Sequence, residues 1–165
     1  MGRTITIQRL SYTHPDATSL RAAQQLEVSP LRPTGFGIPA TAANVPVFLV
    51  AYDGSEPIGC GGLRPLAEQG LAGQAEMKRM YVVPERRGKV QGVECGDGGG
   101  SVAELVLEAL EGVAREEGWW VLRAQTSNAM GQAMRFYEKH GFVRCEIYGK
   151  FKMNDYFVYY EKRLG

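Results

Sequence analysis

The first half of the chain alternates short apolar segments with turn-forming residues. Period-two alternation over 4–10 predicts a strand, and Pro15 begins a predicted helix that extends to about Glu27. The segment 29–46 is rich in proline and glycine and is expected to be a loop. Three further strands are then predicted over 47–52, 57–66 and 74–83.

The second half begins with the clearest helix pattern, over 101–117. Ser101 and Glu104 have the spacing of a capping box, apolar residues recur at helical spacing, and Gly118 ends the pattern. The remaining elements are a strand over 119–124, a helix over 129–140, and strands over 142–148 and 156–163. The order β-α-β-β-β-α-β-α-β-β predicts one mixed α/β domain over 1–165, too irregular for a Rossmann or barrel repeat.

Composition excludes several functional classes. The 19 Lys and Arg residues nearly balance the 18 Asp and Glu residues, so the net charge of +1 does not favour a nucleic-acid or membrane surface. No signal-peptide pattern and no membrane-spanning apolar run occurs, and a cytoplasmic protein is expected. Cys60, Cys95 and Cys145, like His14 and His140, lack metal-ligand spacing, so no metal site is predicted.

Glycine is concentrated in one segment: six of the 21 glycines lie within 88–100. This segment follows a turn that contains Arg86, Arg87 and Lys89, and it leads into the helix beginning near Ser101. Free N–H groups at a helix start, together with nearby cations, favour a phosphate-bearing ligand. A solvated basic turn before an ordinary amphipathic helix fits the same pattern. The P-loop pattern is absent.

Five segments form an ordered set: 47–66, 76–89, the helix ending at Gly118, 121–126, and Phe136-Tyr137-Glu138-Lys139-His140-Gly141-Phe142. This set resembles the GCN5-related N-acetyltransferase (GNAT) superfamily, and the resemblance covers roughly residues 45–163. The resemblance implies a central mixed, mostly antiparallel sheet flanked by helices. It also implies acetyl-CoA as the cosubstrate.

The resemblance assigns cofactor-binding roles to two segments. Backbone groups of Met80, Tyr81 and Val82 are expected to meet the pantetheine arm, and one of their N–H groups to polarise the thioester carbonyl. Asn128 either contacts the pantetheine or caps the following helix. The pyrophosphate is expected at the turn and the helix start, formed by Arg87, Gly88, Lys89, Gly100, Ser101, Val102 and Ala103.

Two side chains are candidates for proton transfer. Tyr137 matches the family tyrosine that protonates the departing CoA thiolate, although it also suits a core aromatic on a helix face. Glu76 is the candidate general base, acting on the amine through water. The alternative for Glu76 is an ion pair with Lys78 or Arg123 on the sheet.

The sequence departs from the family in the pyrophosphate loop. The family pattern is Arg/Gln-x-x-Gly-x-Gly/Ala; counted from Arg87 its last position is Gly92, whereas counted back from Gly118 it is Ala103. The two registers differ by eleven residues, which predicts an insertion over 90–100. The insertion either forms a wider flap with its own N–H groups or reduces cofactor affinity.

The favoured function is acetyl transfer from acetyl-CoA to a primary amine of a small molecule by direct attack. Two alternatives stay open: a protein or peptide N-acetyltransferase, and a GNAT-like CoA-binding or protein-interaction module with weakened catalysis. Tyr12, His14 and Phe36 are candidates to line the acceptor pocket. The two C-terminal strands offer an edge for a homodimer, and the motifs do not specify the acceptor amine.

Overall fold

A seven-stranded sheet forms the centre of the computed structural model, which describes residues 4–88, 90 and 100–165. The helices are α1 (Pro15–Val28), α2 (Val102–Glu116) and α3 (Gly131–Lys139). The strands are β1 (Ile5–Arg9), β2 (Val47–Asp53), β3 (Glu56–Pro65), β4 (Gln74–Val82), β5 (Val121–Ser127), β6 (Val143–Cys145) and β7 (Phe157–Arg163). The chain order of these elements is the one predicted.

The strands lie in the order β1-β2-β3-β4-β5-β7-β6. Every neighbouring pair is antiparallel except β4 and β5, which are parallel. The predicted fold class, a mixed and mostly antiparallel sheet flanked by helices, is therefore confirmed.

Helices cover both faces of the sheet because β2 is apolar on both sides. Val47, Leu49 and Ala51 belong to the core that contains the buried residues of α2, together with Tyr137 of α3. The alternate residues Phe48, Val50 and Tyr52 pack with Ala17 and Leu20 of α1. A two-residue period thus places α1 on one face, and α2 and α3 on the other.

Most element boundaries differ from the sequence prediction by one or two residues, and three of the differences have a clear structural context. The predicted strand 142–148 is paired only over Val143–Cys145, because Tyr148 turns inward and is buried. Strand β5 runs to Ser127, since its pairing with β7 continues to Phe157. Helix α3 begins at Gly131 rather than at residue 129.

The parallel pair β4–β5 is joined over only three residue pairs. Gln74, Ala75 and Glu76 align with Val121, Leu122 and Arg123, and beyond this point no residue pair joins the two strands. Both strands continue, because β4 stays paired with β3 and β5 with β7. The strands therefore diverge and open a split in the middle of the sheet.

Candidate active site

The split leads into a cleft of about 690 Å³. Its walls are the C-terminal half of α1, the loop over 31–40, the diverging parts of β4 and β5, and the first half of α3. A cleft of this size falls in the range of small-molecule sites. It is thus the candidate active site.

The loop between α1 and β2 is held over the cleft by hydrogen bonds from the sheet. Arg64 Nη1 donates to the carbonyl of Ile38 at 2.7 Å, and the Ser127 hydroxyl donates to the carbonyl of Leu31 at 2.6 Å. The Lys152 amide donates to the carbonyl of Phe36 at 2.7 Å. These bonds explain how a proline- and glycine-rich segment forms a defined wall.

Strand β4 contains a bulge where it enters the cleft. Cys60 aligns with Tyr81 and Gly62 with Lys78, so two residues of β4 oppose Gly61 alone. One of them, Arg79, has φ of 60°, which is strained for a side-chain-bearing residue. The bulge changes the direction of the backbone at Met80 and Tyr81, the residues that the sequence predicts to meet the cofactor.

Tyr137 lies on α3, where its ring belongs to the hydrophobic core and also borders the cleft. The ring packs against Phe136, Phe142 and Tyr160. Burial raises the pKa of Tyr137 to about 12, so the phenol stays protonated near neutral pH. Its hydroxyl makes no hydrogen bond to another described residue. Tyr137 is therefore a core aromatic that also lines the cleft, and its role as the proton donor stays a prediction.

Glu76 lies at the closed end of the split and is completely buried. Its Oε1 is 2.7 Å from Arg64 Nη2 and 3.6 Å from Lys78 Nζ. Its Oε2 accepts the Tyr148 hydroxyl at 2.5 Å. The sequence alternative of a Lys78 partner is observed, whereas Arg123 pairs with Glu161 instead. Both carboxylate oxygens already have partners, which favours a role in holding this cluster together.

The outer end of the cleft contains Arg87, one of the cations that the sequence places before the helix start. The structure shows that this cation already has a carboxylate partner. Arg87 forms a two-bond ion pair with Glu27 of α1, at 2.8 and 2.6 Å, and donates to the Val82 carbonyl at 2.8 Å. Arg86 lies outside the cleft lining and pairs with Asp53 and Glu56. The acidic partners come from distant segments, so local sequence did not reveal them.

The start of α2 also borders the cleft, through Ala103. Ser101 caps it, because its hydroxyl accepts the Glu104 amide at 3.1 Å. The N–H groups of Val102 and Ala103 have no intrahelical acceptor, and no hydrogen bond joins them to another described residue. The reciprocal bond of the predicted capping box is not among the contacts of the described residues. Instead the Glu104 carboxylate lies 3.4 Å from Lys139 Nζ and 3.8 Å from His140 Nε2.

Of the predicted pyrophosphate residues, Arg87 and Ala103 line the cleft. Gly100 and Val102 are buried beside it, and Gly88 is exposed with φ of 90°. Lys89 and residues 91–99, which make up most of the predicted insertion, lie outside the described residues. The Val90 amide donates to the Gly100 carbonyl at 2.6 Å, so the two described residues that flank 91–99 lie side by side.

Some predicted residues lie away from the cleft. Asn128 is exposed; its side chain donates to the Asp155 carbonyl at 2.8 Å, and Met130 rather than Asn128 occupies the N-cap of α3. Tyr12 packs against Phe48, and His14 caps α1 by accepting the Asp16 amide. Of the three predicted acceptor-pocket residues, only Phe36 lines the cleft.

The sequence did not assign a binding role to the polar residues at the inner end of the cleft, although it named Lys78 as a possible partner of Glu76. Arg32 from the loop donates to Gln125 of β5 at 2.5 Å, and Lys78 of β4 lies beside Glu76. Lys78 shares a strand face with Glu76, which was the only signal available. Arg32 lies in a segment without periodicity, so no pattern could identify it.

Within the described residues, no cluster of His, Cys, Asp and Glu could hold a metal ion. No helix among 4–88 and 100–165 is long and apolar enough to cross a bilayer.

Comparisons with known proteins converge on one family. Residues 44–144 match the model of the acetyltransferase (GNAT) domain. A curated protein from Azospirillum brasilense, named IAA acetyltransferase, is 29% identical over 117 residues, which cover 71% of this chain and 67% of that protein.

Solved structures share the whole fold. A Klebsiella pneumoniae protein described as an acyl-CoA N-acyltransferase is 25% identical, with a TM-score of 0.77, and the match covers 98% of this chain and 99% of that one. A GNAT family acetyltransferase from Elizabethkingia anophelis, solved with acetyl-CoA bound, is 16% identical with a TM-score of 0.66, covering 97% and 98% of the two chains. The latter likeness is one of fold alone.

Proposed function

Because the chain belongs to the GNAT acetyltransferase family and is thus an acyl-CoA N-acetyltransferase, we propose that it transfers an acetyl group from acetyl-CoA to a primary amine of a small molecule. The observation that carries this proposal is the split between β4 and β5, because the cleft into which it leads is lined by Tyr137, whose hydroxyl has no hydrogen-bond partner among the described residues. A thioester and an amine can meet there without displacing any paired strand.

The residues around the split fit acetyl-CoA. Its phosphates suit the outer end, where the free N–H groups of Val102 and Ala103 lie near Arg87. Its pantetheine arm suits the unpaired edge of β4 at Met80–Val82, which can exchange hydrogen bonds with amide groups. Acetyl-CoA supplies the thioester, whose C–S bond breaks as the amine nitrogen forms its bond to the acetyl carbon.

Two groups of this chain then stabilise the reaction. A backbone N–H of the β4 bulge donates to the carbonyl oxygen as negative charge develops on it. The Tyr137 hydroxyl donates to the leaving sulfur. A raised pKa suits this role, because the phenol stays protonated at the pH at which an amine is partly neutral.

Glu76 acts in this proposal by organising the inner end of the site. Its carboxylate holds Arg64, which in turn holds the loop at Ile38, and it lies beside Lys78 at the cleft wall. Removal of the amine proton by Glu76 through water stays a prediction.

The tied-down loop supports a small acceptor over a protein tail. The bonds from Arg64, Ser127 and Lys152 hold the 31–40 segment in place. This segment therefore closes the side of the cleft from which the acceptor would enter. An extended peptide would need an open groove along an unpaired strand edge.

The test combines calorimetry with a thiol assay on the full chain. Acetyl-CoA is titrated to millimolar concentration, and release of free CoA is then followed with a panel of primary amines. Saturable binding and amine-dependent release are expected. Absence of binding at millimolar acetyl-CoA overturns the proposal, whereas binding without release for any amine supports the CoA-binding module instead.

A further inference from the structure

The described lining of the cleft carries an excess of positive charge. It includes four cationic side chains, Arg32, Lys78, Arg79 and Arg87, but a single carboxylate, Glu27. Glu27 is already paired with Arg87 at the outer end. The inner end is therefore cationic with no lining carboxylate to balance it.

Arg32 is held in place without a counter-ion. Its Nη2 donates to Gln125 Oε1, and its guanidinium carbon lies 5.3 Å from the centre of the Phe157 ring. It forms no ion pair with any described residue. Arg32 is half-buried, and burial lowers the pKa of this guanidinium. A partly desolvated cation that neutral partners hold in place can gain an anionic partner without first losing another one.

Lys78 has only a shared counter-ion. Glu76 lies 3.6 Å from its ammonium, but the same Oε1 lies closer to Arg64, at 2.7 Å. The Tyr148 hydroxyl takes the second oxygen. One buried carboxylate thus balances two cations, so the positive charge of Lys78, which lines the cleft, is only partly neutralised.

The position of this pair separates it from the expected phosphates. Lys78 lies two residues beyond the last β4–β5 pair, at the closed end of the split, whereas Arg87 and the start of α2 lie past Val82. Four residue steps along the strand lead from Lys78 to Val82, a distance of up to about 13 Å. Tyr137 lies close enough to Arg32 for the guanidinium to oppose the rise of its pKa.

We propose that Arg32 and Lys78 bind a carboxylate on the acceptor, so that the substrate is a primary amine that also carries a carboxylate. This assignment rests on the proposed function and deepens it. The Arg32 guanidinium, from the loop, offers two parallel N–H donors to a carboxylate, and the Lys78 ammonium adds a point charge from strand β4. Phe36 and Phe157 on the same wall suit an apolar portion of the acceptor.

The first arm of the test compares matched acceptors. CoA release from acetyl-CoA is measured with L-amino acids and with their carboxamides, among a wider panel that includes polyamines. Because the two series differ in the pKa of the amine, kcat/KM is referred to the concentration of unprotonated amine, and the carboxylates are then expected to have values about 10- to 100-fold higher than the carboxamides. Arg32→Gln and Lys78→Met are expected to remove this preference. The control Arg144→Gln removes an exposed cation on β6, outside the cleft, and should preserve it.

The second arm does not depend on turnover. N-acetyl-L-phenylalanine and its carboxamide serve as product-like probes in thermal unfolding of the wild type, Arg32→Gln and Arg144→Gln. The carboxylate is expected to raise the melting temperature of the wild type and of Arg144→Gln more than the carboxamide does, and to lose this advantage in Arg32→Gln. This arm still decides the assignment if no amine is acetylated, which would instead count against the proposed function.

Three results overturn the assignment. The first is equal behaviour of carboxylates and carboxamides in both arms, and the second is faster turnover of neutral amines or polyamines than of any amino carboxylate. The third is a preference for succinyl-CoA over acetyl-CoA with neutral amines that Arg32→Gln removes. That result would place the carboxylate on the acyl donor.

Discussion

Nη2 of Arg64 lies 2.7 Å from Oε1 of Glu76, and both side chains are almost completely removed from solvent, at 2% and 0% exposed. Through Nη1, the same guanidinium holds the loop at Ile38. The pair therefore connects the closed end of the split to the wall of the cleft.

Replacing Glu76 by glutamine separates the structural role from the catalytic one. The change leaves the Arg64 and Lys78 charges without their shared carboxylate, so the free energy of unfolding should fall by about 3 kcal/mol. Urea unfolding measures this loss, and kcat should be measured where the variant is fully folded. A variant of unchanged stability with a kcat lowered about 100-fold would favour Glu76 as the general base instead.

Tyr137→Phe tests the proton donor. Without the hydroxyl, kcat should fall about 100-fold, while the Kd of acetyl-CoA stays nearly unchanged, because the ring and its packing remain. The matched control is Tyr160→Phe, whose ring centre lies 5.7 Å from that of Tyr137 but whose hydroxyl donates to Glu138 instead. The control should keep its kcat; an unchanged kcat in Tyr137→Phe rejects the acid role.

Glu27→Gln should tighten acetyl-CoA binding. Glu27 neutralises Arg87 through two hydrogen bonds, and Arg87 in turn lowers the pKa of Glu27. The pair is partly exposed and worth at most about 1 kcal/mol, so its removal should lower the Kd of acetyl-CoA by up to about fivefold at low salt. Calorimetry measures the change.

The control for this experiment is Glu56→Gln, which removes one of the two carboxylate partners of Arg86 outside the cleft lining and leaves Asp53. Its acetyl-CoA affinity should equal that of the wild type. Weaker binding by Glu27→Gln would mean that Glu27 orients Arg87 for the phosphates rather than competing with them.

Local pattern predicted the elements of this fold well and their ends less well. The α2 helix follows from its apolar period and from Ser101, both of which act within a few residues. The end of the sixth strand does not follow from local pattern, because a tertiary contact determines it. Tyr148 leaves the strand and donates to Glu76, 72 residues earlier.

The site divides in the same way. Tyr137 and Arg87 belong to contiguous motifs, so the sequence indicated them. Arg32 lies in a loop without periodicity, and only its contacts with Gln125 and Phe157 give it a position. Similarly, the neutralisation of Arg87 depends on Glu27, 60 residues away, which no local spacing encodes.

Deleting residues 91–99 tests the predicted insertion. The amide of Val90 already bonds to the carbonyl of Gly100, so the deletion joins two neighbouring residues. Because the loop ends meet, the free energy of unfolding should change by no more than about 1 kcal/mol. Acetyl-CoA should still bind, since the N–H groups of Val102 and Ala103 remain.

A variant in which a Gly/Ser segment of equal length replaces 91–99 separates length from sequence. Both variants should have acetyl-CoA affinities within a few-fold of the wild type by calorimetry. A loss of more than tenfold in both would show that residues 91–99 contribute to cofactor binding. A turnover raised only by the deletion would show that the segment obstructs the site.

The acceptor site should weaken as Lys78 loses its proton. Burial lowers the pKa of Lys78 to about 8, against the opposing effect of Glu76, and the cations Arg64, Arg32 and Arg79 lower it further. The ammonium is thus mostly charged at pH 7 and mostly neutral at pH 9.

The KM of an amino carboxylate, divided by the KM of its carboxamide, should therefore rise from pH 7 to pH 9. The titration of the acceptor amine cancels from this ratio only where the two amines have the same pKa. Pairs matched in that respect, such as long ω-amino acids and their carboxamides, are therefore used. Lys78→Met should make the ratio independent of pH, and a wild-type ratio that stays constant from pH 7 to 9 would contradict the role of Lys78.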